Sequence, residues 1–183
     1  MNDLQQIPIT TIDGRDTTLG EYAGKVLLVV NTASKCGLTP QYEGLEALSK
    51  TYRDKGLEVL GFPSNDFAGQ EPLSEPEIAD FCSTNYAIDF PMFSKIAVVG
   101  ENKHPLYAEM IEQRPEVPDT EKFREGLVKF GVTPNPAPEV LWNFEKFLIG
   151  RDGTVVDRFS PDVKPDDNRL RESIERELSR KGA

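Results

Sequence analysis

The chain has few of the residues that build metal centres or covalent frameworks: two cysteines and one histidine in 183 residues. That supply cannot complete an ordinary Cys/His zinc site without carboxylate help, and it is too small for a secreted disulfide scaffold. If the two cysteines pair, redox chemistry is the better reason than architecture. Basic charge is also scarce, with 21 Lys and Arg against 31 Asp and Glu and a formal charge of −10. This is the wrong sign for a phosphate-backbone binder, so no nucleic-acid partner is expected. Long apolar runs are missing, and Met1 to Gln6 lacks the basic and apolar parts of a signal peptide. Cytoplasmic residence without stable membrane association is therefore the expectation. The length suits one domain with a substantial core, spanning residues 1–183.

What is present centres on Asn31-Thr32-Ala33-Ser34-Lys35-Cys36-Gly37-Leu38-Thr39-Pro40. The preceding run, Val26-Leu27-Leu28-Val29-Val30, has the pattern of a central strand covered on both faces. Thr39 as N-cap and Pro40 as first helical residue would start a helix carrying Tyr42, Leu45, Leu48 and Tyr52 until Gly56 stops it. Cys36 then lies just upstream of a helix N-terminus, where unpaired N–H groups favour thiolate over thiol. A free cysteine is as readily a small core residue as a nucleophile. The small-polar loop between a buried strand and a capped helix is the setting in which reactive groups are presented.

The remaining elements follow in order. Residues 7–19 read as a β-hairpin around Asp13-Gly14, and Leu57 to Phe62 as a second strand, which completes a right-handed βαβ unit with parallel strands. Sites in such folds lie on the loops at the carboxyl ends of the strands, here the Cys36 loop and Pro63 to Pro72. Ser74 and Glu77 form a capping box for a helix that runs to Tyr86 and places Ile78, Phe81 and Cys82 on its apolar face. By that placement alone Cys82 reads as a core residue. Phe90 to Phe93 and Ile96 to Gly100 read as an extended segment with a further short strand, and His104 as a cap or surface residue opening a helix. Residues 114–139, with prolines at 115, 118, 134, 136 and 138, form an insertion with one short helix from Phe123 to Phe130. Leu141 to Gly150 and Thr154 to Phe159 flank the Asp152-Gly153 turn and add antiparallel strands. A last amphipathic helix places Leu170, Ile174 and Leu178 on one stripe against the sheet.

This order is the layout of an α/β thioredoxin-like fold, a central mixed β-sheet flanked by helices with an N-terminal β-hairpin. The sequence resembles the glutathione peroxidase family, and within it the bacterial, cysteine-type, thioredoxin-dependent members. The resemblance rests on Asn31 to Gly37, Gly61-Phe62-Pro63-Ser64-Asn65 with Phe67 and Gln70-Glu71-Pro72, Phe90 to Phe93, His104 to Tyr107, and Trp142-Asn143-Phe144-Glu145-Lys146-Phe147-Leu148. It implies a thiol peroxidase acting on hydrogen peroxide and organic hydroperoxides, with Cys36, Gln70, Trp142 and Asn143 as a catalytic tetrad. Those residue types suit the reaction: a thiolate attacks one peroxide oxygen while the other leaves with negative charge, and the indole and amide N–H groups are donors that do not titrate.

The resemblance further implies that Cys36 becomes a sulfenic acid that condenses with Cys82 as resolving thiol, recycled by thioredoxin or glutathione without a metal or cofactor. Because Cys82 sits on an apolar face, the 74–86 helix is expected to unwind partly in each turnover. Ser64 stands where many relatives carry a further cysteine. Asp66 replaces the usual glutamine and is expected to face solvent, since an inward carboxylate would oppose the thiolate. A monomer or weak oligomer is expected. Other readings remain open at this stage: a thiol–disulfide oxidoreductase, for which Thr39 leaves the Cys-x-x-Cys pair incomplete, and a peroxide-sensing redox module.

Overall fold

The computed structural model describes residues 3–180. A short helix α1 (Asp3–Gln6) precedes a hairpin of two-residue strands, β1 (Ile9–Thr10) and β2 (Asp16–Thr17), paired antiparallel through Ile9 and Thr17. The main sheet follows with β3 (Val26–Thr32), helix α2 (Gln41–Tyr52), β4 (Leu57–Pro63), helix α3 (Glu75–Tyr86), helix α4 (Pro105–Gln113), helix α5 (Glu121–Lys129), β5 (Lys146–Ile149), β6 (Val155–Phe159) and helix α6 (Asn168–Ser179).

The sheet order is β4-β3-β5-β6, with β3 and β4 parallel and the other two pairings antiparallel. Every residue of β3 is buried, as the unbroken apolar run requires of a central strand. Alternation along the strand sends Val26, Leu28 and Val30 into one core, with Tyr42, Leu45, Ile78, Cys82 and Ile174. Leu27 and Val29 enter the opposite core, with Phe62, Phe93, Leu106, Met110 and Phe147. Successive side chains of one strand thus anchor helices on both faces.

Local chemistry accounts for most element ends. The capping box forms at Ser74 and Glu77, and Gly56 adopts a left-handed conformation (φ 108°) where α2 gives way to β4. His104 caps α4, its Nδ1 accepting from the Leu106 N–H at 3.0 Å, in agreement with its reading as a cap.

Three sequence expectations are corrected. Thr39 does not cap α2: the residue before the helix is Pro40, and no side chain caps the end. The Thr39 hydroxyl is instead held inside the Cys36 loop, as described below. No regular strand forms over 90–100; only single bridges, Thr11 to Phe93 and Gly61 to Met92, touch neighbouring backbone. Pro91 has no N–H to extend a ladder, and the Met92 sulfur packs so closely on Gly61 that a Cβ there would overlap it. Finally, β5 begins only at Lys146, because 141–145 forms a turn in which Phe144 has φ 68°.

Candidate active site

The loops leaving β3 and β4 meet at the carboxyl end of the parallel pair. Residues 33–40 fold into a compact turn held by Thr39, whose Oγ1 donates to the Ala33 carbonyl (2.8 Å) and accepts from the Cys36 N–H (3.0 Å). The Leu38 N–H donates to Cys36 Sγ at 3.3 Å, so the donor that reaches the sulfur comes from this turn rather than from the first turn of α2. Cys36 is largely covered, 8% exposed.

The β4 loop is joined to this turn at two adjacent positions. The Lys35 N–H donates to the Gln70 carbonyl at 3.0 Å, and Ser34 Oγ donates to Glu71 Oε2 at 2.8 Å. Asn65 Oδ1 accepts from the Glu71 N–H at 2.9 Å and closes the loop on itself. Burial pushes the Glu71 carboxyl above its ordinary 4.5.

The third segment arrives from the far end of the chain. Asn31, near the end of β3, accepts the Phe144 N–H on its carbonyl at 2.7 Å and donates its Nδ2–H to the Trp142 carbonyl at 3.2 Å. These two bonds fix the 142–144 turn on the strand that leads to Cys36. Fully buried Asn143 then donates from Nδ2 to Gln70 Oε1 at 2.9 Å. This engages the Gln70 carbonyl and leaves its NH₂ group as the available donor. Trp142 is half-buried, with its ring 5.3 Å from that of Phe67. The structure thus joins Gln70 to Asn143 directly, joins Gln70 to the Cys36 loop through backbone, and seats Trp142 beside them.

Cys82 lies in the same core as Cys36 and is 2% exposed; both are free thiols. Burial pushes the Cys82 thiol from 9.0 up to about 11. Asp66 is exposed, as expected, but its carboxylate is also engaged. Its Oδ2 accepts from the Val98 N–H (2.6 Å) and from Ser64 Oγ (2.9 Å). The carboxylate therefore ties down the 96–99 segment instead of standing free in water.

Two clefts border the site. One, of about 270 Å³, is lined by Phe67, Val99, Val132, Leu141 and Trp142 together with the polar Asp66, Thr133 and Asn135. The other, of about 550 Å³, is lined by Gly37, Leu38, Pro40, Gln41, Lys164 and Pro165. Lys146 stands beneath the second, wholly buried, with Nζ donating to Gln41 Oε1 (2.7 Å) and to the carbonyls of Pro161 and Val163 (3.0 and 2.5 Å). It anchors the first residue of α2. Lys146 and Glu71 both lie in the sequence motifs, but periodicity marks neither, because each acts through a partner distant in the chain. Among the described residues, no three His, Cys, Asp or Glu side chains gather as metal ligands, and no helix is long and apolar enough to cross a membrane.

A thioredoxin-like α/β scaffold that offers a covered cysteine after its central strand defines the class of thiol-based oxidoreductases. Comparison with known proteins places the chain within that class. The glutathione peroxidase family model matches residues 4–111. The thioredoxin/glutathione peroxidase BtuE of Escherichia coli is 51% identical over 174 residues, 94% of this chain and 95% of that protein. A hydroperoxy fatty acid reductase of Synechocystis is 45% identical over 170 residues, 93% of this chain and 96% of that protein. The crystal structure of Trgpx in its apo form superposes with a TM-score of 0.73 at 31% identity, covering 100% of this chain and 99% of that one. The chain belongs to the glutathione peroxidase family, and it is a thiol peroxidase.

Proposed function

We propose that Cys36 is the thiolate that attacks the peroxide, that Gln70, Trp142 and Asn143 are its donor set, and that Cys82 resolves the oxidised form. The observation that carries this reading is the Asn143–Gln70 hydrogen bond. It draws amides from two distant loops together at the loop of one cysteine and leaves the Gln70 NH₂ group as an available donor. Attack by sulfur on the peroxide breaks the O–O bond, and fixed N–H groups stabilise the charge that develops on the departing oxygen.

The substrates are hydrogen peroxide and organic hydroperoxides. The cleft bounded by Phe67, Val99, Leu141 and Trp142 suits the apolar part of an organic hydroperoxide, a class named in the Synechocystis relative. The sulfenic acid on Cys36 condenses with Cys82, and thioredoxin, in preference to glutathione, reduces the resulting disulfide. Cys82 faces the core from α3, so the 75–86 helix unwinds in part for the sulfurs to meet. With Thr39 in place of a second local cysteine and bonded within the loop, a thiol–disulfide oxidoreductase reading has no local dithiol to rest on.

Peroxide consumption coupled to thioredoxin, its reductase and NADPH tests the assignment. Continuous turnover that vanishes in Cys36→Ser is the expected result. Stoichiometric reaction of one peroxide per chain would favour a sensor, and turnover in Cys36→Ser would overturn the assignment.

A further inference from the structure

Gln41, the first residue of α2, is buried, and both ends of its side-chain amide are engaged. Its Oε1 accepts from Lys146 Nζ at 2.7 Å, and its Nε2 donates to the Pro161 carbonyl at 2.8 Å. Lys146 Nζ also donates to that carbonyl at 3.0 Å, which closes a ring of three hydrogen bonds among β5, the segment after β6 and the start of α2. A further donation, to the Val163 carbonyl, brings the acceptors around Nζ to three. Burial pulls the Lys146 pKa down to about 7 against the attraction of Asp162, Glu145 and Asp167. Three acceptors nevertheless call for three N–H groups, which only the ammonium supplies. The same segment presses on α2 from outside the ring, so that a Cβ on Gly44 would lie 2.9 Å from Pro165.

An ammonium in a core carries a desolvation penalty that an apolar side chain of similar size would not. What this one holds leads to the reactive sulfur. No side chain caps α2, so the Gln41 amide is what fixes the start of the helix. The Gln41 N–H donates to the Leu38 carbonyl at 2.9 Å, and the Leu38 N–H donates to Cys36 Sγ at 3.3 Å. Every link from Lys146 Nζ to the Cys36 sulfur is therefore a hydrogen bond or the covalent frame of Gln41 or Leu38. The geometry points to Lys146 as a positioning residue for peroxide reduction: through Gln41 it fixes Leu38, whose N–H then stays aimed at the sulfur and stabilises the thiolate. Lys146 acts on the reaction through this chain of contacts rather than on the peroxide itself. The inference rests on the role proposed above for Cys36 as the attacking thiolate.

The test uses the whole chain carrying Cys82→Ser, which leaves Cys36 as the one thiol. Two rates are followed by mass across acid, neutral and alkaline pH: gain of one oxygen from hydrogen peroxide, and alkylation by iodoacetamide. Lys146→Met removes the ammonium, and Gln41→Leu cuts its link to the turn while leaving Lys146 its two carbonyls. In each, both profiles are expected to move to higher pH by about one unit, so that rates fall about tenfold on the acid limb and match the parent on the alkaline limb. Lost packing alone would lower the rates by one factor at every pH. The double variant should shift no further than either single change, because both cut the same chain of contacts. Profiles that coincide with the parent's, a deficit independent of pH, or shifts that add in the double variant would each overturn the positioning role while leaving Cys36 as nucleophile. If the parent gains no oxygen on Cys36, the Cys36 assignment falls and this inference with it. Should circular dichroism show Lys146→Met unfolded, the Gln41→Leu profiles decide.

Discussion

Asn143 Nδ2 donates to Gln70 Oε1 across 2.9 Å, joining side chains 73 positions apart in the sequence. Because the bond aligns both amides, Gln70→Ala and Asn143→Ala are each expected to slow the peroxide step by about 10²-fold, the scale for one preorganised donor. The double variant should lose far less than the product of the two, since each single change already breaks the shared bond. The chain has one tryptophan, Trp142, so stopped-flow emission on peroxide addition gives a direct readout. Full additivity would show that the two amides act independently.

Cys82→Ser separates the two halves of the cycle. The first equivalent of peroxide should be reduced at the wild-type rate, and thioredoxin-driven turnover should stop. Mass measurement should then show protein one oxygen heavier in place of protein two hydrogens lighter. Unchanged cycling would remove Cys82 from the mechanism.

The buried Cys82 thiol also makes a signed prediction about stability. Its folded pKa is raised from 9.0 to about 11, so the unfolded chain releases this proton first as pH rises. The contribution is fully present below about pH 9 and is lost between 9 and 11, a decline of about 2–3 kcal/mol. Urea unfolding at a series of alkaline pH values should show this decline relative to Cys82→Ala. Parallel curves for the two proteins would contradict the prediction.

Arg158 and Glu145 form a fully buried ion pair at 2.8 Å, and the guanidinium also donates to the carbonyls of Arg114 (2.9 Å), Pro115 (3.4 Å) and Pro138 (2.9 Å). It fastens both ends of the proline-rich insertion to β6. Arg158→Ala should cost about 3–5 kcal/mol, because it strands a buried carboxylate as well as three carbonyl groups. Adding Glu145→Gln should recover part of the loss, as measured by urea unfolding.

Much of the scaffold was legible wherever a residue's fate depends on its chain neighbours. The apolar run at Val26 to Val30, the Ser74 and Glu77 box, the Asp152-Gly153 turn and the 170, 174, 178 stripe each became the expected element. Thr39 misled: its type suits a helix cap, but the Ala33 carbonyl binds it within a folded loop. Asp66 is exposed as its type suggests, yet only the fold brings the Val98 N–H to its carboxylate.

The sequence by itself determined where most strands, turns and helices lie and which segments carry the candidate sulfur and the candidate donors, because periodicity, capping and turn chemistry operate over a few residues. Only the tertiary structure decided that the Asn143 amide engages Gln70, that Glu71 reaches Ser34, and that a buried Lys146 holds the start of α2. These contacts join positions from 37 to 105 residues apart. Such pairs exist only once the sheet has folded and brought the loops at its edge within hydrogen-bond reach.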